Sequence, residues 1–215
     1  MIESATGLIL RTRPLTETSL IVQWLTPEFG RIATVAQGAR RHKSPFIGKL
    51  DLFYLADFSF SRSRRSDLHT LREINLRETN SALRENMSAL RQVAYATAFV
   101  EQATETETPL PRIYQLVREF LDCLRTQKPS AQIVFIFELK MLRELGLEPD
   151  WARTSLAAGT KKIAAIFSQK DFAAGKNLKL AGAQMEELRQ FLHGFLIFHL
   201  GKLPKGRAAA LADEI

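Results

Sequence analysis

The hydrophobic repeat of this chain changes period near residue 79, and that change constrains the fold more than any other feature. Upstream, short apolar runs are bounded by Gly, Pro and polar turn residues and read as strands. Downstream, apolar residues recur every three or four positions, as on one face of a helix.

Five short β-like runs precede the change. Gly7 to Arg13 is the first and Pro14 closes it; Thr18 to Thr26 is the second. Pro27-Glu28-Phe29-Gly30 supplies turn residues, and Arg31 to Ala36 follows, so the second and third runs predict a hairpin. Leu52 to Ser61 is the fourth, with Phe53, Leu55, Phe58 and Phe60 as its large apolar positions. Leu68 to Leu76 is the fifth, and the imperfect spacing of Leu68, Leu71, Ile74 and Leu76 predicts a bulge. Five strands in about 75 residues predict a small closed or nearly closed barrel, because closure removes the edges of an isolated sheet.

From Asn80 the steps Leu83, Met87, Leu90, Ala94 and Thr97 predict a helix, with Thr79 or Asn80 as its N-cap. Pro109 and Pro111 start a second helix, with Ile113, Leu116, Val117, Phe120 and Leu121 on one face. After Pro129, the run from Ile133 to Leu145 is so apolar that it predicts a central, buried helix, capped by Gly146. Ala183 to Leu200 predicts a last amphipathic helix. The fold class is therefore α+β: a β-domain over 1–79, then an α-helical domain over 80–215 with an irregular, cysteine-free segment at about 150–182.

With 46% hydrophobic and 25% charged residues, the chain of 215 residues reads as globular and not disordered. Its net charge of +7 invites an anionic partner: nucleic acid, an acidic protein tail or an anionic membrane. The charge is uneven. Residues 1–80 carry 12 basic and 8 acidic side chains, 81–150 carry 8 and 10, and 151–215 carry 10 and 5. Met1-Ile2-Glu3-Ser4 does not resemble a signal peptide, and the apolar stretch Phe191 to Leu200 is too short to span a bilayer. The single cysteine, Cys123, fits a reducing cytosol and reads as a buried thiol on an apolar helix face.

Catalysis finds no constellation. No dinucleotide fingerprint, phosphate-binding loop or nucleophile elbow occurs. His193 and His199 are six apart, not the four that would pair metal ligands on one helical face; His42 and His69 are isolated. Glu186-Glu187 reads as a solvated first helical turn.

The basic residues are more informative. Arg40, Arg41, Lys43 and Lys49 fall between the third and fourth strands, Arg62, Arg64 and Arg65 between the fourth and fifth, and Arg31 starts the third. Loop cations reach phosphates without desolvating a core, so these eight are the candidate phosphate-contacting residues. Phe29 and Phe46, in a turn and a basic loop, are candidate stacking platforms for bases; Trp24 reads as core.

Four stretches carry a family resemblance. GLILRTRPLTETSLIVQWLTPEFGRIATVAQGARRHKS and GKLDLFYLADFSFSRSRRSDLHTLREINL resemble the N-terminal region of the RecO recombination mediators. FELKMLRELGLEPD and FLIFHLGKLPKGR extend the likeness into the helical part. The resemblance implies an OB-fold over 1–79, DNA binding, annealing of complementary strands, and no covalent chemistry; it turns the eight phosphate-contacting candidates into candidate DNA-binding residues. It implies single- and double-stranded DNA, RecR and the single-strand-binding protein SSB as partners, with RecA loaded indirectly, in the bacterial cytoplasm at the nucleoid. The acidic, hydrophobic tail of SSB docks on the family's helical domain; a pocket rimmed by cations there points to Arg112, Arg118, Lys140 and Arg143. Lys140 and Arg143 interrupt an apolar helix, so they either snorkel outward or serve a site. Many members of the family carry a four-cysteine zinc module after the counterpart of LGLEPD. Here Trp151 to Gly159 has no cysteine, so zinc is not expected, nor any other metal or cofactor. The alternative is an OB-fold RNA-binding or scaffold protein without annealing activity, since a fold does not fix a function.

Overall fold

The computed structural model describes residues 1–212, apart from the side chain of Lys176. The β-like runs form β1 (Ile2–Pro14), β2 (Leu20–Thr26), β3 (Gly30–Ala36), β4 (Leu55–Ser61) and β5 (Leu68–Glu78). They close into a barrel in the order β1-β2-β3-β5-β4. All pairs are antiparallel except β3 with β5, where Ala33, Thr34 and Val35 lie opposite Leu68, His69 and Thr70. This is the five-stranded OB-fold. The strict alternation of β3 puts Ile32, Thr34 and Ala36 inside and leaves Arg31, Ala33 and Val35 as an outer row. Trp24 is fully buried, stacks on Phe58 at 3.9 Å between ring centroids, and donates its indole N–H to Thr34 Oγ1. Register breaks opposite Ser59/Phe60 and Leu55/Ala56 place the bulges of β5 at Arg72 and Arg77. β4 begins three residues later than the pattern predicts, because Phe53 takes a left-handed backbone (φ 64°) and donates its N–H to Ile9 O.

The chain divides into two units. One holds Met1–Ser81 together with Thr104–Gln115; the other holds Ala82–Ala103 and the described residues from Leu116 onward. In the first unit the segment Thr104–Leu110 lies along the part of β3 that precedes its pairing with β5. Glu107 N–H donates to Arg31 O, Leu110 N–H to Pro27 O, and Thr106 forms a parallel bridge with Arg31. The segment covers a backbone edge that would otherwise be open. Gly30 permits the approach. Its φ is +61°, and a Cβ there would lie 1.8 Å from Thr108 O.

The second unit contains α1 (Met87–Ala103), most of α2 (Pro111–Thr126), α3 (Ala131–Glu144), α4 (Ala158–Gln169), α5 (Phe172–Lys176), α6 (Gly182–Leu200) and α7 (Arg207–Ala210). α3 is the centre, with Ile133 to Leu139, Met141 and Leu142 buried. It packs against α4, α5 and α6. Phe137 meets Phe99 of α1 and Phe120 of α2. Cys123 is buried.

Two sequence expectations change. Neither Thr79 nor Asn80 caps α1. Asn80 takes φ 50° and donates its side-chain N–H to Phe53 O, a 3-10 turn runs from Ser81 to Glu85, and Asn86 Oδ1 accepts from Ala89 N–H near the start of α1. The stretch from 150 to 182 contains α4 and α5, built on buried Ala164, Phe167 and Phe172. Its apolar face is diluted with small residues, which hides the helical period.

Within α3 sits a fully buried carboxylate. Glu138 accepts two hydrogen bonds from the Arg207 guanidinium (Nε to Oε1 2.6 Å, Nη2 to Oε2 2.9 Å) and one from Tyr95 OH. Burial pushes the Tyr95 phenol well above its ordinary pKa, and the Glu138 carboxylate adds to the rise. The triad ties α1, α3 and α7 together and satisfies every charge it buries.

Candidate nucleic-acid interface

An OB-fold offers nucleic acids its β2–β3 face, flanked by the loops after β1 and β4. Here that face is the row Gln23, Arg31, Ala33 and Val35. The β1–β2 loop stands at the end of β3 where Ala36 pairs with Leu20. The chain leaving β3 is stitched to this loop: Arg40 N–H donates to Thr18 O and Gly38 N–H to Ser19 Oγ. Tight turns then carry Arg41, His42 and Lys43 outward, all exposed, while Lys49 is half-buried. Phe46 anchors the loop from inside the barrel core, so it is not a stacking platform.

The β4–β5 loop stands at the other end of the β3 row, beside Arg31, about 17 Å away at 3.3 Å per strand residue. Serines shape it. Ser63 Oγ accepts from Arg65 N–H and lies 3.2 Å from Ser66 Oγ, and Ser63 N–H donates to His69 Nδ1. Arg64 and Arg65 project into solvent. The two basic runs thus bracket one barrel face.

Arg31 and Arg62 are placed differently. The Arg31 guanidinium donates to Thr104 Oγ1 at 2.8 Å and to Thr104 O. Arg62 pairs with Glu107 at 2.5 Å and with Glu3 at 3.5 Å, and the Glu107 bond raises its pKa above the ordinary arginine range. Both cations therefore hold the Thr104–Glu107 segment or its acid, and a phosphate would have to compete for Arg62. Phe29 is half-buried; its ring meets Phe60 edge-on and lies 6.0 Å from the Arg62 guanidinium carbon. His69 is buried against Phe60, with Nε2 3.4 Å from Glu107 Oε1. Burial pulls its pKa below the ordinary histidine value, and Glu107 opposes that shift in part.

Two further features were not singled out in the sequence. Arg13 is exposed at the β1 end of the face, where its position just before Pro14 was an available signal. Glu107 had no local signal, because it meets Arg62 across 45 residues of chain. An open groove of about 710 Å³ on the barrel is lined by Glu28, Asp57 and Glu73 with Ser4, Thr6 and Asn75. Its acidity makes it unsuited to phosphates.

In the second unit, Lys140 and Arg143 come together on α3. Arg143 donates to Ser168 O, and Lys140 Nζ stands 5.6 Å from the Phe172 ring centroid. Burial lowers the Lys140 pKa, with Glu119 opposing. Arg118 lies on α2 in the same unit, whereas Arg112 groups with the barrel. The cysteine-free stretch 150–182 does not fit a zinc module. It contains no cysteine or histidine, and buried Phe167 and Phe172 supply its core.

Comparison with known proteins agrees with this architecture. Residues 1–80 match the family described as "Recombination protein O N terminal", and residues 84–156 match "Recombination protein O C terminal". The chain belongs to the RecO family. It is 31% identical to the DNA repair protein RecO of Bacillus pumilus over 150 residues, covering 70% of this chain and 58% of that protein. The figures for RecO of Bacillus subtilis are 31%, 150 residues, 70% and 58%. For RecO of Listeria monocytogenes they are 30%, 158 residues, 74% and 61%. The chain spans about three fifths of the length of these RecO relatives. Each of these relatives carries the name DNA repair protein RecO. Among the described residues, no helix is long and apolar enough to cross a membrane.

Proposed function

We propose that this protein is a DNA-binding recombination mediator that anneals complementary single strands without covalent chemistry. In the same reading it works with RecR to load RecA onto SSB-coated DNA, in the cytoplasm at the nucleoid. The observation that carries the reading is the bracket of exposed cations, Arg40, Arg41 and Lys43 at one end and Arg64 and Arg65 at the other, around the β2–β3 face of an OB-fold.

Annealing requires that two polyanions approach. A cationic face releases the counterions condensed on each strand and lowers their repulsion, and base pairing then supplies the specificity. Phosphate contacts suit this task because they carry no sequence preference of their own. Lys140, beside the Phe172 ring, and Arg143, which donates to Ser168 O, are the cations proposed to receive the acidic tail of SSB; Arg118 is a second-rank candidate.

The test is annealing of complementary oligonucleotides, bare or coated with SSB, with and without its tail. The proposal expects acceleration on both substrates, with the coated one dependent on the tail. No acceleration with DNA, or binding confined to RNA, would overturn it.

A further inference from the structure

The last long helix carries a feature that neither the barrel nor the core of its own unit uses. Leu188, Leu192 and Leu196 of α6 are buried, as a core-facing stripe should be. Beside them runs a second, aromatic stripe. Phe191 and Phe195 stand 5.4 Å apart between ring centroids, Phe195 and His199 4.3 Å, and Phe198 meets His199 edge-on at 4.9 Å. Trp151 extends the row at 6.2 Å from Phe191. Phe198 is 83% exposed, and its neighbour Ile197 is exposed as well. A phenylalanine that presents most of its surface to water contributes almost nothing to folding.

In the middle of this stripe is Gly194. Glycine is a poor residue for a helix interior, and nothing here demands it: a Cβ at Gly194 would meet no atom within 4 Å. Phe191 precedes it by three residues and Phe198 follows by four, so both share its face. The missing side chain leaves an open gap between two phenylalanines, floored by helix backbone.

From Leu188 to the last described residue the charges along the chain are of one sign, while Asp150 beside Trp151 pairs with Arg153. From Leu188 to Ala212 the sequence has no Asp or Glu, while it has Arg189, Lys202, Lys205 and Arg207 with His193 and His199. Arg207 is spent on Glu138, and Arg189 pairs with Glu186. Lys202 and Lys205 are exposed, and Gln102 fixes the backbone at Lys202 by donating to its carbonyl. The nearest preceding carboxylate, Glu187, is engaged by Thr160 and by Ala157 N–H. Among the described residues no carboxylate pairs with Lys202 or Lys205, and flat apolar rings followed along the chain by such cations match a ligand with flat rings and phosphates.

We infer that the α6 stripe is a base-stacking platform for single-stranded DNA, with a base seated over Gly194 between Phe191 and Phe198 and the strand's phosphates toward His199, Lys202 and Lys205. The inference rests on the DNA-binding reading above and adds a second contact of a different kind. The barrel loops grip phosphate and do not distinguish single strands from duplex. The α6 platform needs unpaired bases, because only they expose a ring face to stack.

The experiment measures fluorescence anisotropy of the full chain with oligo(dT), an abasic strand of equal length, and duplex. Wild type is expected to bind oligo(dT) more tightly than the abasic strand by on the order of tenfold. Phe198→Ala and Gly194→Gln should each remove most of that margin while leaving abasic and duplex affinities unchanged. Gly194→Gln should not lower the melting temperature, since it replaces a weak helix former, so its effect cannot be misfolding. Arg41→Glu with Arg64→Glu should instead weaken all three ligands. Equal wild-type affinity for oligo(dT) and the abasic strand would overturn the inference and leave the barrel reading standing. So would variants that keep the margin, or a Phe198-dependent dimer in sedimentation with DNA binding unaltered. No binding to any of the three would overturn both.

Discussion

Glu107→Gln should make the protein bind DNA more tightly. In the wild type the Glu107 carboxylate sits 2.5 Å from Arg62 and 3.4 Å from His69 Nε2, where a bound phosphate would compete with it. Glutamine keeps the shape and removes the charge. The segment should stay seated, because its anchors are backbone bonds from Glu107 N–H to Arg31 O and from Leu110 N–H to Pro27 O. The pair is partly exposed, 39% at Arg62 and 28% at Glu107, so its loss should cost at most about 1 kcal/mol of stability. The released Arg62 adds one phosphate contact. The slope of log K against log salt should then steepen by about 0.7 for single strands and about 0.9 for duplex, and affinity near 0.1 M salt should rise roughly three- to tenfold. A second readout follows from His69. Its folded pKa already lies below the ordinary 6.5, through burial, and Glu107 counters that, against a further lowering by Arg62 and smaller raising effects from Glu3 and Asp67. Above pH 6.5 the imidazole is neutral in both states and stability should not respond. As pH falls below that value the unfolded chain takes up the proton first, so stability declines, and more steeply in the variant. Titration of binding against salt, with thermal melts across pH 5 to 8, measures both. A folded variant with unchanged affinity and slope would refute the view that Glu107 occupies a phosphate position.

Three further outcomes are expected. Glu138→Gln strands the Arg207 charge in the core and should cost about 3–5 kcal/mol in urea unfolding, whereas replacing both partners by apolar residues should recover most of it. Gly30→Ala places a Cβ 1.8 Å from Thr108 O at φ +61°, so it should destabilise by more than about 1 kcal/mol and speed hydrogen exchange across 104–110. Lys140→Ala with Arg143→Ala should weaken binding of a fluorescent acidic SSB-tail peptide, and equal binding would move that site elsewhere.

The barrel was legible from short apolar runs between Gly, Pro and polar turn residues; β3 buries one face and alternates strictly, whereas β1 buries Gly7 to Leu10 without a break. The bulge at Arg72 was legible because the extra residue breaks the spacing of Leu68, Leu71, Ile74 and Leu76; the second, at Arg77, lies beyond the predicted end of the strand. α3 was legible because Ile133 to Leu139 is buried without a break and holds one charged residue, Glu138. The start of α1 was not, because Leu83 and Met87 keep a helical spacing through the 3-10 turn, while Asn80 spends its side chain on Phe53 O. α4 was hidden because Thr160, Ala164 and Ser168 form a buried face of small and polar residues. At the candidate interface the loop cations could be read from composition between strands. The engagement of Arg31 by Thr104, 73 residues away, and of Arg62 by Glu107 could not, since both are long-range contacts without local pattern. The same holds for Glu138 and Arg207, paired across 69 residues.

If the two basic loops on one barrel face hold DNA by its phosphates, as proposed, binding must depend on salt through them. Affinity for oligo(dT) should be measured from low to moderate salt for wild type and for Arg41→Glu with Arg64→Glu. Loss of two phosphate contacts should flatten the slope of log K against log salt by about 1.4 and weaken binding throughout. A folded double variant with the wild-type slope and affinity would contradict the account.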